Sequence, residues 1–268
     1  MLKYLSLAFF VLLGFSNNSI AQFNGFSNEV GVISGPTALQ SDYGERNDLK
    51  TNVGNTGVGI GFVHYLNFAF DSSCLCYTPE SYFNDHFKLR SEISYSYTEL
   101  KHFGYWVDKN NGSIGVEQLR GMRANTHILN AGVQMEFYPL SIRDFTAIEG
   151  SFGPYISFGA QYSYYNPETY SLMGPLGTTQ NTFPNYLTPS DGKPNVYTSD
   201  PGNVFSVVSS VGTRYKLSPI SDLLVDLRFQ YFKSNWIDGL NPNAELYKGN
   251  RAKDWLVWFN VGYIYYVQ

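Results

Sequence analysis

Apolar and polar residues alternate along much of this chain. In the stretch "HFKLRSEISYSY", from His86 to Tyr97, most apolar side chains share one parity and the charged side chains share the other. A period of two is typical of a β-strand, because successive side chains of a strand point to opposite faces. The stretch therefore predicts a strand with one apolar face and one charged face.

Eight segments carry this alternation. They are "EVGVISGPTAL", "TGVGIGFVHYLNF", "HFKLRSEISYSY", "HILNAGVQMEFY", "FGPYISFGAQYSYY", "FSVVSSVGTRYKL", "LLVDLRFQYF" and "WLVWFNVGYIYYV". Strands of globular domains are usually about 5 to 6 residues long. These segments are about 10 to 13 residues long, which matches the length that a tilted strand needs to cross a bilayer. No segment predicts a helix longer than a turn or two.

The connections between the segments alternate in length. Asn166–Asn203 is the longest connection, and Ser218–Ser221 is the shortest. Barrels of outer membranes have short periplasmic turns and longer extracellular loops. We therefore expect Asn166–Asn203 outside the cell and the short connections in the periplasm. Only Asp71–Asp85 is long for its expected side.

These observations predict the fold class. Lipid cannot satisfy the open backbone groups of a sheet edge, so strands cross a membrane only in a closed barrel. We predict an all-β chain whose residues 22–268 form an eight-stranded antiparallel transmembrane β-barrel with short periplasmic turns and long extracellular loops. The alternative is a soluble lipocalin-like barrel, which would turn the apolar faces inward and the charges outward.

Aromatic residues near the ends of the predicted strands are expected to mark the two membrane surfaces, where Tyr and Trp side chains form girdles. The candidates are Tyr65, Tyr97, Tyr138, Tyr164, Tyr165, Trp236, Trp255, Tyr265 and Tyr266.

The first residues have the pattern of a secretory signal peptide. Lys3 precedes an apolar run of about 11 residues, and a spanning helix needs about 20. Ser19-Ile20-Ala21 matches a small-x-small cleavage site. We expect residues 1–21 to be removed after Ala21. The mature protein would then be located in the cell outer membrane, in contact with outer-membrane lipid.

The charge of the chain indicates which classes of partner it can bind. Charged residues make up 15% of the sequence, aromatic residues make up 17%, and the formal net charge is -4. A partner with a phosphate backbone requires a basic face on the protein. No nucleic-acid partner is therefore expected.

The charged faces of the predicted strands would meet inside the barrel. An eight-stranded barrel is just wide enough for side chains to fill its interior. We expect the inward charges to neutralise one another as a plug that leaves no open pore. The predicted members are Lys88, Arg90, Glu92, Glu136, Arg214, Asp226 and Arg228.

Few other residues suggest chemistry. Cys74 and Cys76 lie on the predicted periplasmic side, where a disulfide can form. Two free thiols or a metal or redox site are the alternatives, and His64 and His86 are nearby in sequence.

The glycines of "GVGIG" are not followed by a helix, so they do not predict a nucleotide-binding loop. The sequence has no nucleophile elbow and no HExxH helix. We therefore predict a protein that is not an enzyme and needs no cofactor.

Several stretches resemble a known family. "FSNEVGVISGP", "GVGIGFVHYLNF", "HFKLRSEISYSYTEL", "AGVQMEFYPLS" and "FGPYISFGAQYSYYNP" occur in this order over most of the mature chain. Together they resemble the PorG-like small outer-membrane β-barrels of Bacteroidota, which belong to the type IX secretion system that also serves gliding motility.

The resemblance implies a scaffold. PorG-like barrels contact periplasmic ring or translocon subunits, so the resemblance places the partner contacts of this chain on Asp71–Asp85, Pro139–Gly150 and Ser218–Ser221. Arg143 and Asp144 are the exposed charged candidates within the middle turn. The alternative is a stand-alone barrel that binds surface ligands through its extracellular loops or braces the membrane.

Overall fold

The computed structural model of the chain describes residues 26–44, 48–52, 54–72, 74, 76–108, 110, 112–243 and 253–267. The expected signal peptide, Met1–Ala21, and its cleavage site lie outside the described residues. Nearly all of the secondary structure is β-strand, as the alternation predicts.

Eight long strands form the body of the molecule, and two short ones form a separate hairpin. The strands are β1 (Ser27–Gln40), β2 (Thr56–Asn67), β3 (Phe70–Asp71), β4 (Cys76–Tyr77), β5 (Phe87–Lys101), β6 (Met122–Phe137), β7 (Phe152–Ser171), β8 (Gly202–Ser218), β9 (Ser221–Phe232) and β10 (Trp255–Val267). The short hairpin pairs β3 with β4. Each of the eight predicted segments lies on one of the long strands.

The long strands close into a barrel. The order around it is β1-β10-β9-β8-β7-β6-β5-β2, and β2 pairs with β1 to complete the circle. Every neighbouring pair is antiparallel, including the closing pair of β1 and β10, in which Val30 lies opposite Tyr265. The predicted eight-stranded antiparallel barrel is confirmed.

Short helices occur only in the connections of the described chain. They are α1 (Leu49–Asn52), α2 (Tyr82–His86), α3 (Ile114–Gly121) and α4 (Ile142–Ala147), with 3₁₀ turns at Gly104–Val107 and Pro184–Leu187. Among the described residues, no helix has the length and apolar character needed to cross a membrane.

The outer surface of the barrel is apolar, and most of the charged side chains of the long strands are gathered on the inner surface. Phe62 and Ile93 point outward with 68% and 60% of their surfaces exposed, and Val58, Val133 and Phe158 also point outward. A soluble barrel would bury such side chains, since burying apolar surface is the main favourable term in folding. An apolar exterior around a closed polar interior is the arrangement of a barrel in lipid.

A row of phenylalanines runs along one end of the lipid-facing surface, beside β1, β2, β5 and β6. The ring centroids of neighbours along the row lie 5.0 to 5.2 Å apart. We call this row the phenylalanine girdle; it consists of Phe26, Phe68, Phe83, Phe87 and Phe137. On β5, Tyr97 lies about ten residues beyond Phe87. At about 3.3 Å per residue and a tilt of about 40°, that span covers about 25 Å, the height of the apolar band of an outer-membrane barrel.

The prediction of the tyrosine and tryptophan girdles was wrong at five positions. Tyr65, Tyr138, Tyr165 and Trp236 are buried inside the molecule, and Tyr266 points into the lumen, where its hydroxyl donates to Asp222 Oδ2 at 2.7 Å. Tyr65 has the parity of the inward residues of β2, because it alternates with the lipid-facing Phe62, His64 and Leu66. Strand parity therefore decides its orientation, and the preference of tyrosine for membrane surfaces does not.

The two ends of the barrel differ. At one end lie the first residue of β1, the last residue of β10 and the connections 68–86, 138–151 and 219–220. At the other end lie the connections 41–55, 102–121, 172–201 and 233–254. We call these the terminal end and the loop end. The longest connections are gathered at the loop end, as the sequence predicts.

Candidate functional site

Charged side chains fill the lumen near the terminal end. All seven residues predicted for the lumen are buried, each with 3% of its surface exposed or less. The strands bring these residues together because the side chain of each points toward the barrel axis. Ion pairs connect them across the lumen.

One centre of the lumen is the carboxylate of Glu92. Arg228 donates hydrogen bonds from Nη1 to Oε1 and from Nη2 to Oε2 of Glu92, the second at 2.7 Å. Arg90 donates from Nη2 to Oε2 of Glu92 at 2.8 Å and from Nη1 to Oδ2 of Asp226 at 3.1 Å. Such two-pronged arginine–carboxylate bonds are among the strongest in proteins, and they set geometry as well as energy.

A second centre contains charges that the prediction omitted. Glu29 accepts a hydrogen bond from Lys88 Nζ at 2.7 Å and another from Arg214 Nη1. Asp222 lies within ion-pair distance of Lys216 and Arg214, at 3.3 and 3.5 Å. Glu29, Lys216 and Asp222 share the inward parity of their strands, so the alternation contained the signal that would have found them.

With these additions the lumen is electrically balanced. The five cations are Lys88, Arg90, Arg214, Lys216 and Arg228, and the five anions are Glu29, Glu92, Glu136, Asp222 and Asp226. A buried charge is costly unless it is paired and its remaining hydrogen bonds are made. Equal numbers of the two signs allow the whole lumen to be buried without net charge.

Aromatic side chains fill the space between these charges. The guanidinium carbon of Arg214 lies 4.0 Å from the ring centroid of Tyr65, and that of Arg228 lies 4.9 Å from the ring of Trp258. The hydroxyls of Tyr138 and Tyr155 add hydrogen bonds to carboxylates of the network. The buried girdle candidates Tyr65 and Tyr138 thus belong to the plug.

Neutral polar residues form the next layer toward the loop end. Gln230 Nε2 donates to Asn130 Oδ1 and Ser206 Oγ, both at 2.9 Å. Ser163 Oγ donates to Asn130 Oδ1 at 2.6 Å. These side chains are buried. A water-filled pore would leave inward side chains accessible, so this part of the lumen is closed by protein.

An apolar cluster closes the loop end. Inward residues of the strands, including Leu39, Leu100 and Leu256, pack with Trp236 and Ile237 from the connection 233–254. His102 and Tyr186 extend this packing, with Tyr186 Oη 3.4 Å from His102 Nε2. Burial lowers the pKa of His102 to about 3. The imidazole is therefore neutral, as an apolar environment favours.

Acidic side chains organise the backbone of this cap. Asp238 accepts hydrogen bonds from the main-chain N–H of Asp42 at 2.7 Å and of Leu240 at 2.8 Å. Asp254 accepts from the N–H of Ile237 at 3.1 Å. The Asp238 carboxylate joins the described residues of the connections 41–55 and 233–254, and the Asp254 carboxylate holds residues 237 and 254 together. We call these described residues the lid over the lumen.

At the terminal end, Arg143 holds the connections together. Its Nη2 donates to the carbonyl of Thr78 at 2.9 Å, and its Nε lies 3.4 Å from Asp85. Its guanidinium carbon lies 5.1 Å from the ring centroid of Tyr77. The prediction that Arg143 is exposed was wrong, because these bonds leave only 19% of its side chain accessible. Its contact with a periplasmic partner stays a prediction. Asp144 is exposed, and its main-chain N–H donates to Ser141 Oγ at α4.

The two cysteines lie in the same region. Cys74 forms a disulfide with Cys76, the first residue of β4. Their sulfurs are therefore bonded to each other and do not offer the thiolates that a metal site requires. His86, which the sequence places near them, has its Nδ1 2.6 Å from the carbonyl oxygen of Tyr138.

Comparison with known proteins finds similar solved structures at low sequence identity. No protein-family model matches the sequence, and no curated protein matches it. A major outer membrane protein from Thermus thermophilus is 14% identical with a TM-score of 0.47, and the match covers 90% of this chain and 99% of that chain. Neisserial surface protein A is 10% identical with a TM-score of 0.46, over 90% of this chain and 97% of that chain. OprG from Pseudomonas aeruginosa is 12% identical with a TM-score of 0.41, over 91% of this chain and 99% of that chain. The assignment of the fold rests on the strand ladders and the two faces of this chain: it is a closed eight-stranded β-barrel of the outer-membrane type.

Proposed function

We propose that this chain is a non-enzymatic outer-membrane scaffold that presents its terminal end to periplasmic subunits of a secretion or gliding machine. The observation that carries the proposal is a lumen filled by a balanced ion-pair network and covered by a lid. Such a barrel does not serve as a channel. Its useful surfaces are then its two ends and its lipid-facing wall.

The connections at the terminal end form an ordered surface held together by hydrogen bonds and an ion pair. The hairpin β3–β4 and helices α2 and α4 are tied together by Arg143, and Asp85 also accepts a hydrogen bond from Ser141 Oγ at 3.0 Å. Beside them, Leu140 and Ile148 on the connection 138–151 have 55% and 64% of their surfaces exposed. Exposed apolar side chains on an ordered frame are typical of protein contact sites. We call Leu140, Ile148 and α4 the terminal platform.

The resemblance to PorG-like barrels supplies the kind of partner. Those barrels contact periplasmic subunits of the type IX secretion system, and the periplasm is the side on which we place the terminal platform. The same placement puts the loop end at the cell surface.

A second candidate function is supported by a different observation. At the loop end, Tyr170 near the end of β7 and Leu172 and Met173 at the start of the β7–β8 connection are exposed apolar side chains. A stand-alone barrel that binds surface ligands would use these side chains, and the terminal platform would then have no partner.

One experiment separates the two candidates. An affinity-tagged copy carrying Leu140→Glu together with Ile148→Glu is isolated from native outer membranes in mild detergent, and the co-purifying proteins are identified by mass spectrometry. The matched control is Leu172→Glu, which makes the same kind of change at a leucine with 67% exposure at the loop end. The scaffold proposal expects the double variant to lose periplasmic subunits that the wild type and the control retain. Equal recovery of those subunits by all three proteins would contradict it, as would a wild type that purifies alone.

A further inference from the structure

The lipid-facing wall carries a groove with polar atoms in it. The groove crosses β10, β1, β2 and β5 and has a volume of about 720 Å³. Its apolar lining includes Val30, Val32, Phe62, Ile93, Tyr263 and Tyr265. His64 and Ser91 line it as well. We call it the histidine groove.

The position of His64 within the membrane is unusual. His64 on β2 lies four residues before Phe68, and Ser91 on β5 lies four residues after Phe87, in both cases away from the phenylalanine girdle. At about 3.3 Å per residue on tilted strands, this places them roughly 10 Å inside the apolar band. Ionisable side chains at such depth are costly, and they mark functional positions in membrane proteins.

The hydrogen bonds around His64 determine which of its ring nitrogens is available. Asn28 Nδ2 donates to the carbonyl of Phe26 at 3.3 Å, so Asn28 Oδ1 is the atom that faces His64. His64 Nε2 lies 3.0 Å from this oxygen and must donate to it. A neutral imidazole then has Nδ1 left as an acceptor, and lipid disfavours the charged form.

Ser91 completes the polar group. It lies directly opposite His64 in the ladder between β2 and β5, on the same outward face. Among the described residues, neither His64 Nδ1 nor Ser91 Oγ has a hydrogen-bond partner. The groove therefore presents an acceptor and a hydroxyl donor side by side, surrounded by apolar side chains.

We propose that the histidine groove binds a lipid whose acyl chain carries a hydroxyl group. A single hydroxyl satisfies both atoms, because it donates to His64 Nδ1 and accepts from Ser91 Oγ. The hydrocarbon chain lies along Val30, Val32, Phe62 and Ile93. An ordinary ester-linked chain provides acceptors only, so it leaves Nδ1 without a partner.

The structure favours binding over lipid hydrolysis at this site. Serine, histidine and asparagine can form a nucleophilic relay, but acyl transfer also needs N–H donors for the oxyanion. The strand segments around Ser91 and His64 are regular antiparallel ladders, in which the main-chain N–H groups are already engaged between strands.

The test compares two synthetic phosphatidylethanolamines that differ only by a hydroxyl on one acyl chain. The delipidated barrel in detergent is titrated with an equal mixture of the two lipids, and native mass spectrometry measures the ratio of the two complexes. We expect the wild type to prefer the hydroxylated lipid by about tenfold, since two added hydrogen bonds contribute on that order. His64→Leu and Ser91→Ala should each lower the preference several-fold, and Leu at position 64 suits lipid, so the barrel still inserts.

The matched control is Ser209→Ala. Ser209 also faces lipid, and it lines a second groove on β8 and β9 of about 320 Å³ whose described lining includes Val207, Phe229 and Tyr231. This variant should keep the wild-type preference. Equal binding of the two lipids by the wild type would overturn the proposal, as would an equal loss in the Ser209 variant or release of free fatty acid during the titration.

Discussion

Arg228 and Glu92 meet across the full width of the barrel. Arg228 lies on β9 and Glu92 on β5, four strands apart in either direction around the circle, and two guanidinium nitrogens of Arg228 bond to the two carboxylate oxygens of Glu92. A bond between diametrically opposite strands leaves no continuous water path along the axis. The lumen is therefore a structural core made of charges.

Removal of Glu92 should destabilise the barrel strongly. Glu92→Ala leaves Arg90 and Arg228 buried without their shared carboxylate, and breaking a buried pair from one side costs about 3–5 kcal/mol. The free energy of unfolding in detergent or vesicles, measured by urea titration, should fall by that amount. Glu99→Ala, an exposed position on the same strand, is the control and should change it by less than about 1 kcal/mol. If both variants lowered the free energy of unfolding by the same small amount, the conclusion that Glu92 holds the charged plug together would be contradicted.

The wild-type barrel should conduct no ions. In planar lipid bilayers, the purified protein is expected to show no steady single-channel current, because the charged plug and the loop-end lid both close the lumen. A stable open conductance that scales with salt concentration would show that the closed lumen is not the state in membranes.

A lysine on the lipid-facing wall should impair insertion. Val133 on β6 faces lipid near the middle of the apolar band, where a lysine or arginine costs about 2–4 kcal/mol. Val133→Lys should therefore lower folding into vesicles, measured by the shift in gel mobility between folded and unfolded barrel. Leu172→Lys at the loop end is the control and should fold normally. Unchanged folding of the Val133 variant would contradict the placement of Val133 near the middle of the lipid-facing apolar band.

The loop-end cap should loosen in acid. The folded-state pKa of His102 is about 3, below its ordinary value of 6.5, because the buried imidazole is kept neutral. The neutral form is favoured by folding, so the stability that His102 contributes is complete above about pH 6.5. It falls as the pH drops toward 3, by up to about 1.4 kcal/mol per pH unit. Hydrogen exchange of residues 183–198 should rise over this interval, and His102→Gln should reduce the dependence. A flat pH profile in the wild type would be inconsistent with a buried neutral His102.

Much of the barrel could be predicted because the side-chain period of a strand is two. Parity alone placed Phe62 outward and Arg90 inward, and the same rule would have placed Tyr65 and Glu29 correctly. The errors arose where the preference of a residue type for the membrane surface was given more weight than the position of the residue in the strand alternation.

The lid and the histidine groove could not be predicted in the same way. Asp42 and Asp238 are 196 residues apart, and the hydrogen bond between Asn28 and His64 depends on the register of β1 and β2; neither follows from local patterns.

The central claim, that the terminal platform is the surface by which this barrel meets periplasmic subunits, is tested most directly by crosslinking in cells. A photoreactive amino acid is placed at Leu140 in one strain and at Leu172 in another, and the crosslinked products are identified from native outer membranes. The scaffold proposal predicts discrete adducts with periplasmic secretion or gliding subunits from position 140 and none of these adducts from position 172. Adducts with those subunits only from position 172, or no protein adduct from position 140, would contradict it.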